Sequence, residues 1–260
     1  MAHDSFIAIG DSFTEGLDDW RRDGTPRGWA DRVAEYLGER RPGFRYANLA
    51  VRGKLLDEIV ADQLPPVERL RPDLVAFSAG GNDIIRLSCD TDDLARRFDA
   101  ALERLTATGA EVLVFTGFDL GRMHLLIRRL RGRVACYNEL MRASADRHGA
   151  TVVDLWGMTA LADPRCWGPD RLHLTAEGHR RVALRVLETL GEPVLEDWRT
   201  PLPEADPTPW RDRHVEDLRW MREFVMPFMR NRLQRRRTGV GFAAKHSELT
   251  PFEPGGHPVL

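Results

Sequence analysis

Cysteine is scarce in this chain: Cys89, Cys136 and Cys166 are the only three in 260 residues. Three thiols cannot all pair within one chain, and no Cys-x-x-Cys occurs. A disulfide framework and a cysteine-built zinc or redox site are therefore excluded, and the three read as incidental thiols in a reducing compartment. The eight histidines show no His-x-His or His-Glu-x-x-His spacing, so the sequence implies no metal site. It implies no cofactor either. Charge imbalance is also missing. Lys and Arg number 38 against 40 Asp and Glu, a formal net charge of −2, which removes any global attraction to nucleic acid or anionic lipid. No stretch approaches the ~18 uninterrupted apolar residues of a membrane span. The start, MAHDSFIAIGDS, lacks the basic segment and apolar run of a secretory signal. These absences predict a cytoplasmic protein with no transmembrane segment and no nucleic-acid partner.

What is present is an alternation of short apolar runs with longer amphipathic ones. SFIAIG at 5–10, YANLA at 46–50, LVAFSAG at 74–80, EVLVFTG at 111–117 and TVVDLW at 151–156 read as buried strands. They lack polar alternation, as strands covered on both faces do. Helical patterns lie between and after them, at 28–40, 55–67, 91–109, 134–149 and 175–191. Gly38 lies near a plausible stop of the first, and Pro65-Pro66 ends the second. Thr or Asp caps the third; Gly109, Gly149 and Gly191 close the last three. This order predicts right-handed βαβ crossovers, hence a three-layer α/β/α sandwich around a five-stranded parallel, flavodoxin-like sheet.

Residues 1–190 make up that domain, and the character changes after Gly191. EPVLEDWRTPLPEADPTPW reads as a Pro-rich strap. The next segment, 211–237, reads as a helix with Leu218, Met221, Phe224, Val225, Phe228 and Met229 on a broad apolar face. Pro227 should kink or split it. Residues 191–260 are therefore expected to form a helical C-terminal extension docked on the core. A homodimer through the same helix, or a wall of the substrate pocket, are its other uses. The tail after Thr238 looks irregular.

Ligands of such sheets bind at the carboxyl ends of the strands. Four segments fall there: Gly10-Asp11-Ser12, Asn48 to Gly53, Gly80-Gly81-Asn82-Asp83, and the loop holding Asp170 and His173. They supply a hydroxyl, a glycine N–H, an amide donor and a carboxylate–imidazole pair. A serine hydroxyl needs a base to act as a nucleophile at neutral pH. A carboxylate on the far ring nitrogen fixes the tautomer of that base, and preorganised N–H donors hold the oxyanion. Singly, each has an ordinary explanation: a turn serine, a turn glycine, a helix cap, a solvated loop pair. Those explanations do not account for all four meeting at one sheet edge.

The set GDSFTEG, N-x-x-x-x-G, GGND and D-x-x-H, in that order, resembles the SGNH (GDSL-type) hydrolases over residues 5–190. Phe13 stands where that family usually has Leu. The resemblance implies Ser12 as nucleophile, His173 as base and then acid, and Asp170 as its orienter. It implies an oxyanion hole from the N–H groups of Ser12 and Gly53 and the Asn82 side chain. Asp11 is expected to brace the turn, and Asp83 to hold Asn82 or cap the segment after it. The implied activity is hydrolysis of small or lipid-like carboxylic esters, thioesters included, with deacetylation of sugars or metabolites as the alternative. A reading of another class makes the chain a binding protein acting through the basic end of its C-terminal helix.

Beyond these, His179 reads as structural. The segment 121–133, with His124 and five arginines, is either a lid or a solvated helix. Trp20 and Trp29 either wall a pocket or, for Trp29, pack in the core.

Overall fold

The computed structural model describes residues 3–86, 88–122, 125–204, 209–227, 230 and 241–252. The chain begins with β1 (Ser5–Ile9), the one-turn α1 (Ser12–Glu15), α2 (Gly28–Arg40) and β2 (Arg45–Asn48). It continues with α3 (Leu56–Leu70), β3 (Leu74–Phe77), the short α4 (Gly81–Ile84), α5 (Thr91–Thr106) and β4 (Glu111–Phe115). Next come α6 (Leu125–Arg128), α7 (Arg131–His148), β5 (Thr151–Val153), α8 (Ala176–Thr189), α9 (Trp210–Trp220) and β6 (His246–Pro251). The sheet order is β5-β4-β3-β1-β2-β6, with the first five strands parallel.

Side-chain alternation divides the interior into two cores. Phe6 and Ala8 of β1 face a cluster with Trp29, Val33 and Leu37 of α2 and Val182 and Val186 of α8. Ile7 and Ile9 face Leu56 and Ile59 of α3, Phe98 and Leu102 of α5, and Met141 of α7. Both faces of β1 are therefore dry, and each buried Ile, Leu or Phe contributes about 1.5–3 kcal/mol. This explains why the strands read as continuous apolar runs.

Two expectations are corrected. The sheet has six strands, not five. The tail read as irregular supplies β6, which runs antiparallel to β2 with Arg45 opposite Pro251 and Tyr46 opposite Thr250. Its sequence, HSELTP, is polar and mostly exposed. An edge strand of this kind is held by backbone pairing and has no apolar pattern to announce it. The helix α2 covers the expected 28–40, and near its end Gly38 makes room for the Phe252 ring, which a Cβ would crowd. Second, α3 continues through Pro65 and Pro66 to Leu70. The carbonyls these prolines cannot serve belong to Ala61 and Asp62, which are exposed, while Leu64 and Val67 are buried on the opposite face.

The C-terminal helix also departs from expectation. α9 ends at Trp220, and a wide i→i+5 turn spans Met221–Val225, ending two residues before Pro227. Leu218 and Met221 are exposed and Phe224 and Val225 half-buried. The residue that buries is Trp220, at 5% exposure. Phe228, Met229 and the basic Arg235–Arg237 run lie outside the described residues. Cys89, Cys136 and Cys166 are all free thiols. Among the described residues no helix is long and apolar enough to cross a membrane.

Candidate active site

The turn after β1 is built for close approach. Gly10 has φ +154°, and a Cβ there would sit 2.7 Å from both Ser78 O and Thr14 Oγ1. The buried Gln63 side chain holds both polar groups of this glycine, accepting from Gly10 N at 2.8 Å and donating to Gly10 O at 2.9 Å. Asp11 caps α1 by accepting from Phe13 N at 3.1 Å. Ser12 is then the first residue of a helix, where its own N–H has no intrahelical acceptor. Phe13 packs beside it among Trp29, Phe115 and Phe118. The turn closes at Gly16, which lies so close to Gly28 that a Cβ on Gly28 would be 2.3 Å from Gly16 Cα.

Across the sheet edge, the loop from Trp167 to Leu174 brings in Asp170 and His173. The loop is pinned by Gly168 N donating to His173 O at 2.7 Å and by a Trp167–Leu174 bridge. Asp170 Oδ1 accepts from the N–H groups of Leu172 and His173 at 2.9 and 3.0 Å. Its Oδ2 lies 2.6 Å from His173 Nδ1, and His173 Nε2 lies 2.9 Å from Ser12 Oγ. With Asp170 ionised, Nδ1 carries the proton and Nε2 accepts from the serine hydroxyl. Burial opposes charge on both partners, but their mutual hydrogen bond and attraction outweigh it. The Asp170 carboxyl is held below its ordinary range and the His173 imidazole above its own.

The second and third segments meet the first. Gly53 has φ +76° in the turn after β2. Asn82, in α4, donates through Nδ2 to Asp11 Oδ2 at 2.9 Å and to Lys54 O at 3.0 Å. Both amide hydrogens of Asn82 are thus engaged. Asp83 neither holds Asn82 nor caps the segment after it. Its Oδ2 accepts from Leu56 N at 3.0 Å and so caps α3. Asp11 is therefore the residue that links the serine turn to Asn82. Burial pushes its carboxyl up to about 6, although the Phe13 N–H and the nearby His173 favour its charge.

Sequence reading missed Asp18. It sits at φ +68°, and its carboxylate approaches Asp170 and His173, ligand atoms of the three lying within 4.8 Å. Burial and then the Asp170 charge raise its pKa. Both ring nitrogens of His173 are already hydrogen-bonded, so this group is the site itself and not a ready coordination sphere. Glu15 was missed as well: it accepts from Arg52 N at 2.7 Å and pairs with the Arg52 guanidinium, which ties α1 to the Gly53 turn. Nothing in the local sequence marks either acid, because each finds its partner only across the fold.

His179 is structural: Trp29 N donates to its Nδ1 at 3.2 Å, and Nε2 donates to Leu17 O at 3.0 Å. Burial pushes its imidazole down to about 4. Trp29 lies in the core, whereas Trp20 is half-exposed. In the 121–133 segment, Arg131 pairs with Asp119 and begins α7; His124 lies outside the described residues.

The GDSL-like Lipase/Acylhydrolase family model matches residues 8–181. Several solved structures share the fold. LAE5, an alpha/beta hydrolase enzyme from the metagenome of Lake Arreo, is 25% identical with TM-score 0.57, covering 72% of this chain and 94% of its own. The acetyl xylan esterase AlAXEase is 22% identical with TM-score 0.59, covering 72% and 99%. Axe2, an acetylxylan esterase from Geobacillus stearothermophilus, is 18% identical with TM-score 0.59, covering 75% and 95%. No curated protein sequence matches. The family match spans all four segments of the site, and the chain belongs to the GDSL-like lipase/acylhydrolase family of esterase-class hydrolases.

Proposed function

We propose that the protein hydrolyses carboxylic esters through an acyl-enzyme on Ser12. The observation that carries this is the continuous series Ser12 Oγ, His173 Nε2, His173 Nδ1, Asp170 Oδ2, at 2.9 and 2.6 Å. Ser12 Oγ attacks the ester carbonyl while Nε2 takes its proton. The Asp170 carboxylate steadies the imidazolium and stays ionised. Collapse of the tetrahedral species expels the alcohol, which takes the proton from Nε2. Water then attacks the acyl group by the same route in reverse, releasing the acid and restoring Ser12.

The oxyanion is held by the N–H groups of Ser12 and Gly53 and by Asn82. Asn82 serves it by turning one N–H away from Asp11 or Lys54. Because that exchange gives up an existing bond, its net gain is smaller than that of a free donor. Asp11 and Asp83 act indirectly, the first through Asn82 and the α1 cap, the second through α3.

A short acyl group is the second reading, favoured by the likeness to two acetyl xylan esterases, AlAXEase and Axe2. The test is hydrolysis of p-nitrophenyl esters from acetate to long chains by wild type, Ser12→Ala and His173→Ala. Each substitution is expected to lower kcat by at least about 10³-fold. The chain-length profile then separates an acetyl-esterase from a lipid-like acylhydrolase. Activity surviving in Ser12→Ala overturns the mechanism.

A further inference from the structure

The family match stops at residue 181, and the neighbours leave about a quarter of the chain uncovered. The C-terminal chain nevertheless returns to the site at three points. Lys245, just before β6, has a side chain only 9% exposed. Its Nζ donates to the carbonyls of Glu15 at 2.7 Å, Pro26 at 3.0 Å and Arg27 at 2.6 Å, and lies 2.8 Å from Asp31 Oδ1. The first of these is the last residue of α1, the single turn that begins with Ser12. Phe242 places its ring 4.4 Å from the Arg52 guanidinium, next to Gly53. Trp220 donates its indole N–H to Asp170 O at 2.8 Å, and Asp217 pairs with Arg171 at 2.5 Å. The serine turn, the Gly53 turn and the Asp170–His173 loop are thus each touched by this segment.

The physics favours a role in geometry. A four-residue helix has no stability of its own, because its nucleation cost is never recovered by propagation. What fixes α1 are its end contacts. Asp11 caps its start, and a cation on the carbonyl of its last residue is the favourable partner for its negative end. Lys245 supplies that cation and ties it to Pro26, Arg27 and Asp31, so α1 is locked against α2. The ammonium keeps these partners although burial lowers its pKa against the pull of Asp31.

We infer that the C-terminal extension is a positioning element of the active site, with Lys245 aligning the Ser12 turn and Trp220 aligning the Asp170–His173 loop, and not a module for a separate partner. This rests on Ser12 acting as the nucleophile.

The experiment compares wild type, Lys245→Met, Lys245→Ala, Trp220→Phe and Ser12→Ala. Each is checked by circular dichroism and assayed well below its own melting temperature. The readouts are kcat and KM on the best p-nitrophenyl ester and the rate of Ser12 labelling by a fluorophosphonate. Lys245→Met is expected to lose about 10- to 100-fold in kcat and in labelling rate, with KM within about threefold. Trp220→Phe keeps an aromatic ring but removes the N–H together with part of the buried indole, and should lose about 3- to 10-fold in kcat. Propylammonium, which replaces the atoms missing in Lys245→Ala, should restore kcat severalfold in that variant and leave wild type unchanged. Should Lys245→Met not fold, Trp220→Phe and the amine rescue decide the matter. Folded variants with kcat and labelling within twofold of wild type overturn the positioning role while leaving the hydrolase reading intact. A wild type that neither hydrolyses nor labels, like Ser12→Ala, overturns the reading of Ser12 and this role with it.

Discussion

Asp11→Asn should change the pH dependence of folding in a way that can be worked out beforehand. In the native protein the Asp11 carboxyl is buried and pushed up from 3.8 to about 6. One pKa unit corresponds to about 1.4 kcal/mol, so the shift amounts to about 3 kcal/mol. The sign comes from proton counting. Below about pH 4 the group is protonated in both states and contributes nothing. Between about pH 4 and pH 6 the unfolded chain gives up its proton while the native state keeps it. The native state binds more protons there, so stability falls as pH rises, and above about pH 6 the full cost is present. Asparagine cannot ionise and removes this loss. It also has a single carbonyl oxygen where Asp11 uses two, one for Phe13 N and one for Asn82 Nδ2. One of those bonds must go, a pH-independent loss of about 1–3 kcal/mol. Comparing two pH values cancels that loss. Urea unfolding of both proteins at about pH 4 and about pH 7 should therefore show the variant gaining about 3 kcal/mol relative to wild type between them. A difference that stays constant within about 0.5 kcal/mol would refute the claim that burial raises the Asp11 pKa.

Asn82→Ala should lower kcat toward the smaller end of the ~10²–10³-fold range for an oxyanion donor, since Asn82 already has two acceptors to give up; steady-state kinetics measures it. The rate profile should lose activity as pH falls through a His173 pKa above the usual imidazole value, because the protonated ring cannot act as base. Asp18→Asn removes one of the charges that raise that pKa, so the acidic limb of kcat/KM should move to lower pH in the variant. Gly28→Ala should destabilise by roughly 2 kcal/mol or more, since its Cβ would meet backbone at Gly16 and its φ is +70°. Thermal unfolding checks this, and an unchanged Tm would mean that the Gly16–Gly28 contact leaves room for a methyl group.

The apolar runs and their punctuation were enough to place β1 to β5 and the helices between them. Those strands are buried on both faces, which makes burial itself the visible pattern. The helix at 28–40 was legible to the residue. Ser12, Gly53, Asn82, Asp170 and His173 could be proposed as a site from sequence because strand ends in a doubly wound sheet share one edge. Other features needed the folded chain. The prolines at 65 and 66 are tolerated because the carbonyls they abandon belong to exposed residues. Gly38 is explained only by Phe252, more than two hundred positions away. β6 carries no apolar alternation, since an edge strand is recognised by its backbone. Asp18, Glu15 and Lys245 have no local signature either. Their meaning depends on which charges and carbonyls lie within about 3 Å, the range over which a hydrogen bond forms. Sequence determines the order and chemistry of the segments; only tertiary structure decides which polar groups are left to face one another once water is gone.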